Sequence, residues 1–243
     1  DFFEEIAKFR AARRIWAKEL KNKYNAKNER SLKLRFHTQT AGFTLTAQQP
    51  ENNIIRVTIQ ALASILGGSQ SLHTDSFDEA LGLPSEKAVK IALRTQQILA
   101  HESGVANTTD PLGGSYYVEW LTNELENKAM KYIEKIDSMG GMLKAIEKNY
   151  VQKEITKSAL QYQREVESND RLIVGLNSYK EKDITELPLF KLKDIENARI
   201  KQLSKFKKSR DSIKLKNALK SLQKTAENEN NLIFPIFDCV KSQ

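Results

Sequence analysis

Arg35, His37 and Gln39 alternate with Leu34, Phe36, Thr38 and Thr40. In an extended chain alternate residues share a face. One face of such a strand offers a cation, an imidazole and an amide to a single ligand. Arginine suits phosphate or carboxylate, and glutamine suits a polar ring substituent. The stretch runs on into Ala41-Gly42, so these groups stand at the carboxyl end of a strand, where α/β enzymes bind ligands. The competing reading is a polar barrel interior whose side chains bond one another. A second stretch, Gln70 to Glu79, also ends a strand and precedes a helix. His73, Asp75, Asp78 and Glu79 are metal-ligand types, but they follow no recognised ligand spacing. Asp78 reads as a carboxylate near a helix N-terminus, and Glu79 as a candidate for bonding a ligand hydroxyl. In a third stretch, Asp110 to Tyr117, Gly113-Gly114 permits a tight turn. Gly-Gly-Ser lacks the spacing of a phosphate-cradling loop, so that stretch reads as structural. His101 reads as a charge partner at a helix C-terminus and Cys239 as an inert thiol.

The elements that would position these groups follow from periodicity and punctuation. Residues 3–20 place Phe3, Ile6, Ala7, Phe9, Arg13, Trp16 and Leu20 at near-helical spacing. Residues 34–40 read as a strand. Pro50 opens a helix over 52–66, stopped by Gly67-Gly68. A second strand is expected at 69–73 and a helix with Ser85 as N-cap after Pro84. Residues 115–118 read as a third strand or extended segment, 119–138 as helix, and 142 to about 166 as helix after the Gly140-Gly141 break. Residues 172–175 form an apolar segment of open type. A long helical region spans 192–227 with a break near Ser209. Strand, helix, strand, helix at this spacing is the pattern of βαβ units in a parallel sheet. Three strands make less than half of the eight that a (β/α)₈ barrel needs.

Composition narrows the classes. At 40% hydrophobic and 29% charged residues, the chain is neither fibrous nor disordered. No apolar run approaches the roughly 18–20 residues of a membrane span. One cysteine excludes an intrachain disulfide framework and a Cys-built zinc site. Without a secretory signal the expected location is cytoplasmic. Asp1 in first place makes the expected chain a piece of something longer. The net charge of +8 is concentrated: residues 190–224 hold ten Lys and two Arg against three carboxylates. That basic region reads as a solvated helix face. With Phe206 alone interleaved, it is thin for base stacking, which argues against a nucleic-acid partner.

RFHTQTAGFTLTAQQ at 35–49, QSLHTDSFDEALGLP at 70–84 and DPLGGSYYVEWLT at 110–122 together resemble the methylmalonyl-CoA mutase family, the cobalamin-dependent acyl-CoA mutases, in its large subunit. The resemblance runs from about Phe9 to Tyr179. It implies an α/β fold: the last three βα units of a TIM barrel over residues 1–185, then a basic helical extension over 186–243. It also implies adenosylcobalamin as cofactor and a radical carbon-skeleton rearrangement interconverting methylmalonyl-CoA and succinyl-CoA, an isomerase activity. Isobutyryl-, ethylmalonyl- and 2-hydroxyisobutyryl-CoA mutases share the motifs and are the alternatives. So is a non-catalytic assembly module.

Residue by residue, the resemblance implies that Gln39, Gly42, Glu79, Ala80 and Leu83 line the cofactor region and that Arg35, His37 and Gln70 face the acyl-CoA. The residues that contact the reacting acyl group belong to earlier strands, so no catalytic residue and no metal ligand is expected within this chain. The implied partners are the acyl-CoA substrate, the N-terminal barrel half, a cobalamin-binding subunit or domain, and a mutase chaperone. Two departures stand out: Phe43 where some relatives have Trp, and Asp75 where Asn is usual.

Overall fold

The computed structural model describes residues 1–181, 193–228 and 230–242. Contacts divide the chain into two units, Asp1–Phe190 and Lys191–Gln243. The boundary expected at 185/186 lies outside the described residues.

The first unit opens with helix α1, Phe2–Asn22, which buries Ile6, Ala7 and Ala11. Strand β1, His37–Gln39, follows. Helix α2, Asn52–Leu66, buries Asn53, Val57, Ala61 and Ser64 along one stripe, the spacing of a helix with one inward face. Gly67 ends it. A Cβ at Gly67 would come 2.5 Å from Phe9 Cδ2, so the glycine makes room for Phe9 to stack on Phe36 with ring centroids 5.0 Å apart. Strand β2, Ser71–His73, pairs parallel with β1 in the register His37↔Ser71, Thr38↔Leu72, Gln39↔His73. Helix α3, Glu86–His101, starts at Ser85, whose side chain accepts from the Ala88 N–H.

The molecule is thus mostly helical, an α/β arrangement with a small parallel sheet. β1 is shorter than the expected 34–40. A strand extends only as far as its partner supplies hydrogen bonds, and β2 supplies three paired residues. Two further bonds flank the ladder: Gln70 N–H to Phe36 O at 3.3 Å and Thr40 N–H to His73 O at 3.1 Å.

The third expected strand is corrected. Residues 115–118 begin helix α4, Tyr116–Ser138, with Ser115 as N-cap accepting from the Val118 N–H. Tyr-Tyr-Val favours strand on propensity, but the serine cap and the burial of Val118 decide the local structure. Glu119 adds a second tie by accepting from the Gly114 N–H. The described residues therefore hold two parallel strands of the three expected.

α1 packs against α2 and α4. Ile6, Ala63 and Val118 form the core between them, with Phe2, Leu66 and Leu112 against it. Charged bonds rim this seam. Arg10 holds Asp110 bidentately and also reaches Glu119. Arg14 and Lys18 hold the buried carboxylate of Glu126 at 2.7 and 2.5 Å.

Gly140 and Gly141 both have positive φ and separate α4 from α5, Met142–Glu147. Asn149, with φ +56, separates α5 from α6, Tyr150–Glu167. The helix expected from 142 to about 166 is therefore two helices. Asparagine tolerates the left-handed region better than other side chains.

In the second unit, α7 is Lys193–Ser209 and α8 is Ser212–Glu227, capped by Asp211, which accepts from the Ile213 and Lys214 N–H groups. Helix α9, Ile233–Lys241, packs on α8 and buries Cys239. No helix among the described residues is long and apolar enough to cross a membrane.

Candidate functional site

The carboxyl ends of β1 and β2 bring together side chains that are 34 to 36 residues apart in sequence. Exposure alternates along 34–39, with Arg35, His37 and Gln39 outward and Leu34, Phe36 and Thr38 turned in. Parallel pairing then sets each outward group beside the end of β2. His37 Nδ1 lies 2.6 Å from Ser71 Oγ. Gln39 donates through Nε2 to Asp75 Oδ1 at 2.9 Å. The Asp75 N–H donates to Thr40 Oγ1 at 2.9 Å. His73 Nε2 is 3.6 Å from the same Asp75 oxygen.

Asp75 is the hub of this cluster, and its side chain is fully buried. Its second oxygen, Oδ2, has no donor among the described side chains. That oxygen and Glu79 Oε1 both crowd Gly42: a Cβ there would lie 3.5 Å from the first and 3.0 Å from the second. Two ionised carboxylates offer each other only acceptors. A proton on Glu79 turns the encounter into a hydrogen bond. Burial, and after it the negative charge of Asp75 and that bond, push Glu79 above the usual carboxylate range.

Ala80 and Leu83 lie in the exposed turn after Glu79. Gln70 is exposed, but its amide is engaged with backbone: Oε1 accepts from the Phe36 N–H at 2.9 Å and Nε2 donates to Gly68 O at 2.8 Å. It steadies the entrance to β1 and keeps only its remaining lone pair and N–H for a ligand. Arg35 is exposed at the start of the same edge. Asp78 is buried and accepts from the N–H of Ser85, the N-cap of α3. It organises the turn that carries Glu79. The Asp110–Gly114 turn lies on the α1–α4 seam, where Arg10 grips Asp110, apart from this cluster.

Residues 38–41 also border a groove of 640 Å³ whose walls include Phe43, Gln60 and Tyr162. Phe43 is 80% exposed and meets Tyr162 edge-on. Gln60 fixes the loop between them, accepting from the Ala41 N–H and donating to Thr44 Oγ1. Sequence reading gave Gln60 no role. Its place on the inward side of a helix facing the first loop was the available signal. Among the described residues no three His, Cys, Asp or Glu side chains converge to hold a metal ion.

The family model described as methylmalonyl-CoA mutase matches residues 1–243. The chain is 41% identical over 246 residues to human mitochondrial methylmalonyl-CoA mutase, covering 100% of this chain and 33% of the relative. It is 42% identical over 240 residues to the 2-hydroxyisobutanoyl-CoA mutase large subunit of Aquincola tertiaricarbonis, covering 97% of this chain and 42% of that one. To the methylmalonyl-CoA mutase of Rhizobium meliloti it is 39% identical over 246 residues, covering 100% of this chain and 34% of the relative. These relatives are mutases, a class of isomerase. The chain spans from a third to about two-fifths of their length. On the full-length match of the family model and these identities, the chain belongs to the methylmalonyl-CoA mutase family.

Proposed function

We propose that this chain is the C-terminal part of an acyl-CoA mutase barrel. Residues 1–185 would supply its last parallel strands and 186–243 a basic helical extension. In this reading it serves an enzyme that interconverts methylmalonyl-CoA and succinyl-CoA. The observation that carries it is the convergence of Gln39, Gly42, Asp75 and Glu79 at the carboxyl ends of two parallel strands, the end at which such barrels bind ligands.

The residues present suit adenosylcobalamin. Asp75 Oδ2 is a buried acceptor without a donor, Gly42 carries no side chain where a Cβ would press on Glu79 Oε1, and Gln39 and Glu79 add polar atoms beside it. Gln39, Gly42, Glu79, Ala80 and Leu83 would hold the cofactor, which supplies the radical chemistry when bound. The chain's own work is binding, orientation and exclusion of water. Arg35 would pair with an anionic group of the acyl-CoA, and His37 would be kept in one ring orientation by Ser71. Gln70 would contribute its spare hydrogen-bonding capacity.

The required partners are the N-terminal barrel half and a cobalamin-binding subunit or domain. The cytoplasmic location read from the sequence belongs to this proposal. The human relative is named mitochondrial, so fractionation of the source cells tests it. The test of activity is reconstitution. The chain, the missing barrel half, a cobalamin-binding subunit, adenosylcobalamin and methylmalonyl-CoA should together yield succinyl-CoA. An inert mixture alongside an active intact mutase overturns the reading. A second substrate, 2-hydroxyisobutanoyl-CoA, belongs in the same assay, because a relative named for it is as similar as the methylmalonyl-CoA enzymes.

A further inference from the structure

We infer that Asp75 is a positioning residue: its buried carboxylate compels Gln39 to donate inward through Nε2, so that Gln39 Oε1 is presented outward to a hydrogen-bond donor on the ligand. The inference rests on the proposed ligand-binding role of this strand end and adds the chemical sense of its recognition.

A glutamine amide has two faces of opposite sense, N–H₂ donating and C=O accepting. Free in solution it exposes both. Next to Asp75 that freedom is lost. Asp75 Oδ1 lies 2.9 Å from the Gln39 amide nitrogen, and a carboxylate oxygen there can only accept. Turning the amide over would set two oxygens against each other inside a site from which Asp75 has lost all solvent contact, and such a clash is costly where water cannot relieve it. The backbone of Asp75 is pinned beside Gln39. Its backbone N–H is tied to Thr40 Oγ1 at 2.9 Å, and Thr40 N–H is tied to His73 O at 3.1 Å. The residue after Gln39 and the residue before Thr74 are therefore clamped to each other, and Asp75 is clamped with them.

Glu79 adds a second acceptor: its Oε1 lies against Gly42, and a carboxyl group keeps an accepting oxygen in either protonation state. The polar atoms offered beside Gly42 are then acceptors, Gln39 Oε1 and a Glu79 oxygen. A site so built selects a ligand that presents N–H or O–H donors, such as an amine or hydroxyls on a nucleoside. It disfavours an anion or a carbonyl at that point. The chain thereby distinguishes this end of the site from the Arg35 edge, where a cation awaits an anionic group.

The test uses the full chain with side-chain amide NMR and adenosine as the probe. In the unsubstituted chain the Gln39 NH₂ pair is expected as one sharp set of resonances with a proton shifted downfield by its carboxylate partner. Asp75→Asn keeps the shape but can donate or accept, so the Gln39 set should double or move upfield, and adenosine affinity should fall about five-fold for loss of one oriented hydrogen bond. Gln39→Glu sets an acceptor against Asp75 and should lose adenosine binding further, while Lys144→Ala on α5, outside the cluster and the groove, should leave it unchanged. If Asp75→Asn does not fold, Gln39→Glu carries the affinity half of the test, and an adenosine affinity that it leaves intact overturns the orientation.

A Gln39 resonance that ignores Asp75→Asn overturns the positioning role. A resonance that responds while adenosine fails to bind even the unsubstituted chain keeps the Asp75–Gln39 coupling but overturns its link to ligand recognition and the cofactor reading on which it rests. An affinity for adenosine that the substitutions leave intact overturns the proposed orientation.

Discussion

Gly42 lies against Glu79 with no room for a methyl group between them: a Cβ at Gly42 would stand 3.0 Å from Glu79 Oε1. The obstructing atom is the end of a flexible side chain, so the fold can absorb the insult while the site cannot. Gly42→Ala should change stability by less than about 0.5 kcal/mol. It should still displace Glu79 from Asp75 and weaken adenosine binding. Unfolding and titration on the same sample check both halves, and an unchanged affinity contradicts the packing assigned to Gly42.

Glu79 makes stability depend on pH in a defined direction. Its folded-state pKa is raised above the ordinary 4.5, chiefly by burial and by Asp75, with His73 opposing. The stabilisation from its protonated form is complete below the unfolded value and is lost as pH rises through the folded one. Glu79→Gln keeps a donor toward Asp75 at every pH. It should therefore melt about 1 °C above the parent chain near neutrality, with the gap closing as the pH falls through the carboxylate range. Thermal melts from pH 4 to 8 measure this, and a gap that widens on acidification refutes it.

The α1–α4 seam should respond strongly to loss of volume. Ile6 has no solvent exposure and packs with Ala63 and Val118. Ile6→Ala should cost about 3 kcal/mol through lost burial and the cavity left behind. Phe3, partly exposed at the same end, should cost much less when replaced by Ala. Urea unfolding of the two variants gives the contrast, and equal costs would remove Ile6 from the core.

Glu126 tests whether a buried carboxylate is there for attraction or tolerated because it is paired. Its side chain is 8% exposed, and its partners Arg14 and Lys18 are 41% and 60% exposed. Removing both cations strands the charge and should cost about 2–3 kcal/mol. Glu126→Leu removes the charge itself and leaves two cations free to hydrate, so it should be nearly neutral. Equal costs in chemical denaturation would contradict this asymmetry.

Much of this architecture is legible in the residue order, because local signals and tertiary context agree. Helix α2 begins after Pro50 and ends at Gly67 where punctuation indicates, and Ser85 caps α3 as a serine before an amphipathic run should. The disagreements have physical causes. Strand β1 is cut to three residues by the length of its partner, which no alternation within 34–40 reveals. Residues 115–118 have strand-favouring side chains, but a cap at Ser115 and the core position of Val118 make them helical. Asn149 divides a continuous amphipathic pattern because its backbone is left-handed, a choice asparagine permits without demanding. Helix α9 is short and lies at the end of the sequence, with too few turns to assert a period. In the site, the shared outward face of Arg35, His37 and Gln39 follows from period two. The bond from Gln39 to Asp75 does not, since it depends on the register between β1 and β2 and on a burial of Asp75 that its type argues against.

The seam that buries Ile6 joins residues over a hundred positions apart, since Val118 lies on α4. A ribosome adding about 5–20 residues per second therefore releases α1 roughly ten seconds before its cover is complete. During that interval Ile6 has only the α2 side of its cover, Ala63, and lacks Val118. In the growing chain both strand ends are thus synthesised before the α4 residue that closes the core around Ile6.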